Sequence, residues 1–284
     1  MKIAEALSTG VNTLSDAGIE NAEQECRWIM EDLLHKNILS ITSGRHDDLP
    51  MDVSERYTHL LSRRRRGEPL VRILGNQYFF GRRFDVHPGV FIPRPATETL
   101  VEEALKCIKG IPSPKILDVG VGTGAILVSL LLEYPDAFGW GIDISDVAIQ
   151  NAKHNAERFH LSDRVDFTNH DMTQPETWTG LGIAFDLIVA NPPYIRDSEQ
   201  SELPPEVRDH EPPQALYSGP DGLDHIQMIA QWAHHALTPQ GCLLIEFGID
   251  QSNSIKELFS RLRYRDVTII PDLTGRPRVL RATS

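Results

Sequence analysis

The chain has 284 residues, of which 40% are hydrophobic and 24% are charged, a composition typical of globular proteins. Its longest apolar stretch, Ala125 to Leu132, is far too short to span a bilayer, and its N-terminus has no apolar segment of the signal-peptide type. The three cysteines lack the spacing of disulfide or metal-binding motifs, and the eleven histidines form no ligand cluster. We therefore expect a cytoplasmic protein with no metal site and no membrane partner.

The charge balance limits the possible partners further. With 40 acidic and 28 basic residues, the chain has a formal net charge of −12 at pH 7. Such a chain lacks the broad positive field with which most nucleic-acid-binding proteins attract phosphates. The local basic run at residues 63–66 is typical of a solvated helix end, although an RNA-facing patch has the same composition. We expect no stable nucleic-acid binding.

The first part of the chain has a helical pattern. Apolar residues recur at helical spacing through residues 1–67, which predicts a small helical N-terminal domain at residues 1–70. Residues 71–92 change to short extended runs separated by Gly75, Gly81 and Gly89, a pattern that predicts a β-hairpin linker.

From residue 93 onward, strand-like and helical segments alternate, which is typical of a doubly wound sheet. We therefore predict an α/β domain at residues 93–284, built on a doubly wound, mostly parallel, seven-stranded sheet. The predicted strands are residues 115–119, 137–142, 165–168, 185–190, 241–247, 264–270 and a segment near Val279, and the predicted helices are residues 97–109, 125–133, 147–159, 224–236 and 253–262.

A glycine-rich loop follows the first strand of this sheet. The loop runs from Gly120 through Val121, Gly122 and Thr123 to Gly124, with Asp118 just before it and a helix just after it. Glycines allow close backbone approach to a ligand, and a helix N-terminus presents free N–H groups. The third glycine comes one position earlier than in the dinucleotide-binding fingerprint, which argues against a nicotinamide dehydrogenase.

Acidic residues follow the next two strands. Asp143 ends the second strand at a position where related sheets bind the two hydroxyls of a ribose. Asp171 and Met172 follow the third strand, where their side chains can meet the edge or face of an adenine. Because the carboxyl ends of parallel strands meet at one edge of a sheet, we expect these residues to lie close together.

A short turn, Asn191-Pro192-Pro193-Tyr194, follows the fourth strand. Asn191 offers a carbonyl acceptor and an NH₂ donor, and the prolines have fixed φ angles with carbonyls that are free to accept hydrogen bonds. Tyr194 offers a flat aromatic face. Such a turn suits a planar group bearing an NH₂, which is either an amide or the exocyclic amine of a base.

These four features, in this order and at strand ends, resemble those of the class I S-adenosylmethionine-dependent methyltransferases, which have a Rossmann-like fold. Three further segments are similar to signatures of the HemK/PrmC family, whose members methylate the glutamine of the Gly-Gly-Gln motif in peptide chain release factors. The segments are Phe91-Ile92-Pro93-Arg94-Pro95-Ala96-Thr97-Glu98, Glu211-Pro212-Pro213-Gln214-Ala215-Leu216 followed by Gly219-Pro220-Asp221-Gly222-Leu223, and Asp272-Leu273-Thr274-Gly275-Arg276-Pro277-Arg278-Val279.

The resemblance covers nearly the whole chain, and one departure from it stands out. Ala96 occupies a position where the family usually has an acidic residue, so any polar role of that position is absent here. The resemblance implies that release factors are the partners and that the N-terminal domain binds them. It implies methyl transfer from S-adenosylmethionine to a glutamine side chain, with S-adenosylhomocysteine as the second product.

The resemblance also implies roles for individual residues, which fall into three groups. Catalysis involves Asn191, Pro192 and Tyr194. The substrate contacts Asn191, Pro192, Pro193, Tyr194, Phe91 and Arg94. The cofactor contacts Asp118, Gly120, Val121, Gly122, Thr123, Gly124, Asp143, Asp171, Met172 and Asn191.

Two alternative functions share some of these features. An adenine-N6 methyltransferase acting on nucleic acid has the same turn chemistry, but the acidic charge balance argues against it. A binding protein with a degenerate cofactor site is the other alternative, and the presence of Asp118, Asp143 and Asn191 argues against that.

Overall fold

The structure is a computed structural model that describes residues 1–174, 180 and 182–283. The chain divides into two compact units, the first formed by Met1–Gly75 with Pro205–His210 and the second by Asn76–Pro204 with Glu211–Ser284. The sequence predicted boundaries at residues 70 and 92. The structure instead divides the chain after Gly75, assigns the hairpin to the second unit, and adds a six-residue segment from later in the chain to the first.

The first unit is helical. Helices from the first 75 residues pack apolar side chains around a core that includes Leu14, Ile29, Met30, Ile41 and Tyr57. The helices are α1 (Ile3–Ser15), α2 (Ala22–Leu34), α3 (Ile38–Ser43), α4 (Met51–Arg65), α5 (Leu70–Leu74) and, from the later segment, α9 (Pro205–Arg208).

The basic run at residues 63–66 differs from the expectation of a solvated helix end. Arg64 is only 6% exposed, and its guanidinium pairs with Glu25 at 2.5 Å and with Glu206 at 2.6 Å. Arg63 pairs with Glu68 at 2.5 Å. Two of the four arginines therefore form ion pairs within the first unit, and the Arg64 pair joins the segment 205–210 to α2 and α4.

The hairpin consists of two short antiparallel strands, β1 (Asn76–Phe79) and β2 (Arg82–Asp85). Phe79 and Phe84 are buried in the core of the second unit. The backbone of Asp85, the last residue of β2, bonds to two buried asparagines of α8 (Asp146–Arg158), Asn151 and Asn155, at 2.9–3.0 Å. These contacts explain why the predicted linker belongs to the second unit.

The second unit is built on a seven-stranded sheet with the order β5-β4-β3-β6-β7-β9-β8, which confirms the predicted α/β fold. The first five strands of this order are parallel, and β9 pairs antiparallel with both β7 and β8. The strands are β3 (Lys115–Val119), β4 (Phe138–Asp143), β5 (Val165–Asn169), β6 (Phe185–Ala190), β7 (Leu237–Glu246), β8 (Arg265–Pro271) and β9 (Pro277–Thr283).

Helices cover both faces of this sheet because successive strand residues point to opposite sides. On β3, Ile116 packs into one apolar cluster and Leu117 into the other. The first cluster contains helices α6 (Glu98–Ile108), α7 (Ala125–Glu133) and α8 (Asp146–Arg158), and the second contains α10 (Asp224–Ala236) and α11 (Ser252–Arg261).

The strand order reverses at β3, which has β4 on one side and β6 on the other. In open α/β sheets, ligands bind outside the carboxyl ends of the strands at such a point. The turns that follow β3, β4, β5 and β6 therefore form one edge of the second unit.

None of the helices in the described part of the chain is both long and apolar enough to cross a bilayer.

Candidate active site

A cleft lies at this carboxyl edge of the sheet. Its walls come from the turns after β3, β4, β5 and β6, from the segment before α6 and from the loop before α10. The cleft is lined by Phe79, Gly89, Val90, Phe91, Pro93, Thr97, Gly120, Val121, Gly122, Thr123, Ala125, Ile126, Asp143, Ile144, Ser145, Ala148, Asp171, Met172, Asn191, Pro193, Pro212, Gln214, Ala215 and His225.

The glycine loop needs its glycines for two separate reasons. Gly120, Gly122 and Gly124 all have positive φ angles, between 55° and 79°, which L-residues with a side chain rarely adopt. At Gly124 a Cβ atom would also lie 3.2 Å from Ala152 of α8, so this glycine permits close packing of the loop on that helix. Gly124 itself does not line the cleft; it is the last residue before α7.

Asp143 links the glycine loop to the end of β4. Its carboxylate accepts hydrogen bonds from the Gly122 N–H at 3.0 Å and the Ser145 N–H at 2.9 Å. Burial raises the pKa of Asp143, while these backbone donors act in the opposite direction. The carboxylate is thus held in a fixed orientation at the wall of the cleft, and each oxygen has a further lone pair for a ligand hydroxyl.

Asp118 lies behind the glycine loop, outside the lining of the cleft. It is completely buried, and neither carboxylate oxygen has a hydrogen bond of standard geometry among the described residues, although the Leu127 N–H is close enough to lower the pKa of the carboxyl. Burial, with a smaller contribution from the Asp143 charge, raises the pKa of Asp118 to about 8. A buried carboxyl without partners is costly, so this group favours a cationic or donating ligand nearby.

The turn after β5 forms the next part of the wall. Asp171 and Met172 both line the cleft, and the Asp171 carboxylate accepts bonds from the Thr173 N–H at 2.8 Å and from its hydroxyl at 2.7 Å. Met172 reaches back to the glycine loop, with its Cε 3.2 Å from the position a Cβ atom on Gly120 would take. The turns after β3 and β5 therefore meet across one end of the cleft.

Asn191, which directly follows β6, also lines the cleft. Its Nδ2 donates a hydrogen bond to the Thr97 hydroxyl at 3.2 Å. The Oδ1 oxygen is consequently the atom that remains to accept a bond from a ligand. Pro193 also lines the cleft, whereas Pro192 is buried just outside the lining.

Tyr194 lies outside the lining and supports the turn from behind. Its carbonyl accepts a hydrogen bond from Gln251 Nε2 at 2.9 Å, and its ring packs against the apolar cluster that contains α10 and α11. Burial, together with the nearby Glu246 charge, raises the pKa of Tyr194 to about 12, so the phenol stays neutral.

Phe91 and Arg94, the two predicted substrate contacts before α6, have different positions. Phe91 lines the cleft, and the Arg94 guanidinium lies 5.1 Å from the centre of its ring without lining the cleft itself. Arg94 also pairs with the buried Glu211 at 2.5 Å, and Glu211 accepts a bond from the Ile92 N–H at 3.3 Å. Arg94 therefore fastens the segment around Phe91 to the start of the loop before α10.

Several residues that line the cleft are not among those predicted from the sequence. Ser145 lies two residues after Asp143 and caps α8 by accepting a hydrogen bond from the Ala148 N–H. A serine directly before a predicted helix is a typical N-cap, and this signal could have identified it. His225 bonds to Ser218 at 2.8 Å, and burial lowers its pKa. Gln214 belongs to a segment that was noted only for its resemblance. In the described part of the chain, no group of three or more metal-ligating side chains is present.

Comparison with family models is consistent with this two-part organisation. The model described as the PrmC N-terminal domain matches residues 5–75. The model described as a methyltransferase domain matches residues 112–260, which is half of the chain.

Curated relatives match over nearly the full length of the chain. The release factor glutamine methyltransferase of Cereibacter sphaeroides is 36% identical over 282 residues, covering 99% of this chain and 98% of the relative. The protein of the same name from Geobacter sulfurreducens is 38% identical over 268 residues, covering 94% and 91%. Among solved structures, the hMettl16 catalytic domain in complex with the MAT2A 3'UTR hairpin 6 superimposes with a TM-score of 0.57 at 16% sequence identity. The match covers 82% of this chain and 81% of the hMettl16 chain, and it shows a similarity of fold alone.

Proposed function

This chain belongs to the release factor glutamine methyltransferase family, and we propose that it transfers a methyl group from S-adenosylmethionine to the glutamine side-chain nitrogen of the Gly-Gly-Gln motif in peptide chain release factors. The observation that carries this proposal is one shared cleft: Asn191, whose Nδ2 is bonded to Thr97 and whose Oδ1 is left to accept, lines the same space as the glycine loop and Asp143. A cytoplasmic location is part of the proposal, supported by the three free cysteines.

Two features of the cleft fit S-adenosylmethionine, which when bound supplies an electrophilic methyl group on a sulfonium. Asp143 is held by two backbone donors and still has lone pairs for a ribose diol. Asp118, behind the glycine loop, is a buried carboxyl whose oxygens have no hydrogen bond of standard geometry among the described residues, and a ligand ammonium would stabilise its ionised form.

We assign the remaining cofactor contacts along the same wall. Gly120, Val121, Gly122 and Thr123 line the side of the methionine and ribose groups, with Gly124 holding the loop against α8. Asp171 and Met172 border the adenine. The Asp118 carboxylate acts on the ammonium from behind the loop.

The chemical difficulty lies in the substrate. An amide nitrogen is a poor nucleophile because its lone pair is delocalised into the carbonyl. In the mechanism we propose, Asn191 Oδ1 and the Pro192 carbonyl accept the two N–H bonds of the glutamine amide, which directs the nitrogen lone pair at the methyl group. The proton becomes acidic only as the new N–C bond forms, so a strong base is unnecessary before transfer. Positioning and preorganised acceptors supply the rate enhancement.

Packing holds the amide plane in this arrangement. Phe91 and Pro193 offer apolar surface at the wall of the cleft. Tyr194 contributes from behind the turn, where Gln251 fixes its carbonyl, and so keeps Asn191 and Pro192 in place. Arg94 acts on Phe91 through its stacking contact and its ion pair with Glu211.

The proposed function is tested by offering purified release factor, DNA and RNA in turn to the protein with radiolabelled S-adenosylmethionine. We expect label on the release factor, and we expect it to be lost when the glutamine of the Gly-Gly-Gln motif is replaced. Label on nucleic acid alone would overturn the proposal and support the adenine-N6 alternative. No label on any of the three would support the degenerate binding protein.

Asp118 gives a prediction on stability that needs no ligand. In the folded chain its carboxyl ionises only near its raised pKa of about 8, whereas in the unfolded chain it ionises at about pH 4. The folded form therefore binds the proton more tightly, and this group's contribution to stability falls as the pH rises from about 4 to about 8.

The isosteric variant Asp118→Asn lacks this ionisation. We expect its melting temperature, relative to that of the original chain, to increase steadily with pH over the same interval of about 4 to about 8 and then to level off. Thermal unfolding followed by circular dichroism at several pH values measures the difference. A difference that is independent of pH would contradict the assignment of a raised pKa to Asp118.

A further inference from the structure

A buried polar chain continues from Asn191 into the interior of the second unit. The Thr97 hydroxyl, which accepts the hydrogen bond from Asn191 Nδ2 at 3.2 Å, belongs to a residue that is only 2% exposed. The Glu246 carboxylate is a neighbour of the same hydroxyl, and this hydroxyl lowers the pKa of that carboxyl. Glu246 is the last residue of β7 and is 1% exposed.

Charged groups from several elements surround Glu246. Burial raises the pKa of its carboxyl to about 7, while Arg278 of β9 and Arg94 before α6 favour the ionised form and Asp272 opposes it. Its Oε2 has no hydrogen-bond partner among the described residues. In its ionised form, which Arg278 and Arg94 favour, the Glu246 carboxylate can only accept, so the proton of the Thr97 hydroxyl is drawn toward it.

We infer that Thr97 is a positioning residue that fixes which end of the Asn191 amide faces the cleft. Its hydroxyl proton is directed at Glu246, so its oxygen presents a lone pair to Asn191. That lone pair accepts from Nδ2 and repels Oδ1. The inference rests on the proposed function in one respect, namely that the group facing Asn191 in the cleft is an NH₂.

The orientation matters because the two ends of an asparagine amide have nearly the same shape and opposite hydrogen-bonding roles. With Oδ1 toward the cleft, Asn191 accepts from the substrate NH₂. With Nδ2 toward the cleft, two donors would face each other and the substrate nitrogen would lose its alignment. In the second arrangement, Asn191 Oδ1 would also face the lone pair of the Thr97 hydroxyl, whose proton is directed at Glu246, so the contact on the interior side would be unfavourable as well.

Three threonine variants test this inference. Thr97→Val keeps the shape of the side chain and removes the hydroxyl, and Thr97→Ser restores the hydroxyl. Thr99→Val is the matched control, because Thr99 is also buried, at 6% exposure, and lies outside the lining of the cleft.

We expect Thr97→Val to lower kcat for release factor methylation by about tenfold, the equivalent of one lost hydrogen bond. The KM for both substrates should stay close to the original value, and Thr97→Ser and Thr99→Val should resemble the original chain. An unchanged kcat in Thr97→Val, or an equal loss in Thr97→Ser, would overturn the inference. If Thr97→Val fails to fold, Thr97→Ala replaces it in the same comparison with Thr97→Ser.

A second measurement does not depend on the substrate. Nuclear magnetic resonance relaxation of the Asn191 side-chain NH₂, assigned by comparison with an Asn191→Asp variant, reports how rigidly this amide is held. We expect a high order parameter in the original chain and in Thr97→Ser, and a clear decrease in Thr97→Val. Equal order parameters in all three would contradict the inference even if the original chain fails to methylate release factor, an outcome that by itself would refute only the proposed function.

Discussion

Replacing Asn191 by alanine is expected to reduce the kcat of release factor methylation by about 10²–10³-fold, the loss that follows removal of one preorganised polar partner of a reacting group. The variant loses the Oδ1 acceptor at the cleft wall and the Nδ2 bond to Thr97. The lone pair of the substrate amide nitrogen then stays delocalised and is no longer directed at the methyl group.

The measurement combines single-turnover methylation with calorimetric titration of S-adenosylmethionine. We expect the affinity for the cofactor to change far less than the rate, because the glycine loop and Asp143 remain intact. Asn169→Ala is a matched control: Asn169 also ends a parallel strand of the same sheet, but it is exposed, does not line the cleft, and donates to the Ile144 carbonyl and the Asp146 carboxylate. Near-normal turnover in Asn191→Ala with the cofactor bound would refute the proposed mechanism.

The sheet and the order of the turns that line the cleft could be predicted from the sequence. The alternation of strand and helix patterns implies parallel connections, and parallel connections bring all strand carboxyl ends to one edge. The glycine loop, Asp143, Asp171 and Asn191 are each local signals attached to one strand end. Their meeting in one cleft therefore follows from topology without knowledge of any side-chain contact.

The contacts between distant segments could not be predicted in this way. Thr97 and Glu246 are far apart in the chain, and they meet only because β6 and β7 pair as neighbours and α6 packs across them. Nothing in the local pattern of either residue indicates the other. For the same reason, a run of four arginines gave no sign that Arg64 is buried between Glu25 and Glu206, since one acid is on another helix and the other comes from a later segment.

The aromatic residue of the turn shows a third limit of prediction from the sequence. Tyr194 follows the prolines directly, and its position in the sequence suggested a face for the substrate. In the structure the ring packs against the apolar cluster that contains α10 and α11, and Tyr194 does not line the cleft. Sequence alone identifies the turn, but the direction of each side chain depends on what packs around it.

Replacing Asp143 by alanine is expected to weaken the binding of S-adenosylmethionine by about 100-fold. Hydrogen bonds to a charged group contribute about 1.5–3 kcal/mol each, and a net loss of about 2.7 kcal/mol corresponds to that factor. The variant loses the acceptors that we propose for the ribose diol and the anchor of the Gly122 N–H, so we expect both the ligand contact and the shape of the loop to be affected.

Calorimetric titration with S-adenosylmethionine and with S-adenosylhomocysteine measures the effect. Both ligands have the same ribose, so we expect parallel losses, whereas a role of Asp143 at the sulfonium would affect S-adenosylmethionine alone. Asp136→Ala is the matched control, because Asp136 is exposed just before the opposite end of the same strand. Because the transferred methyl group lies away from the ribose, kcat at saturating cofactor should recover most of its value in Asp143→Ala. An unchanged affinity for both ligands would remove Asp143 from the cofactor site.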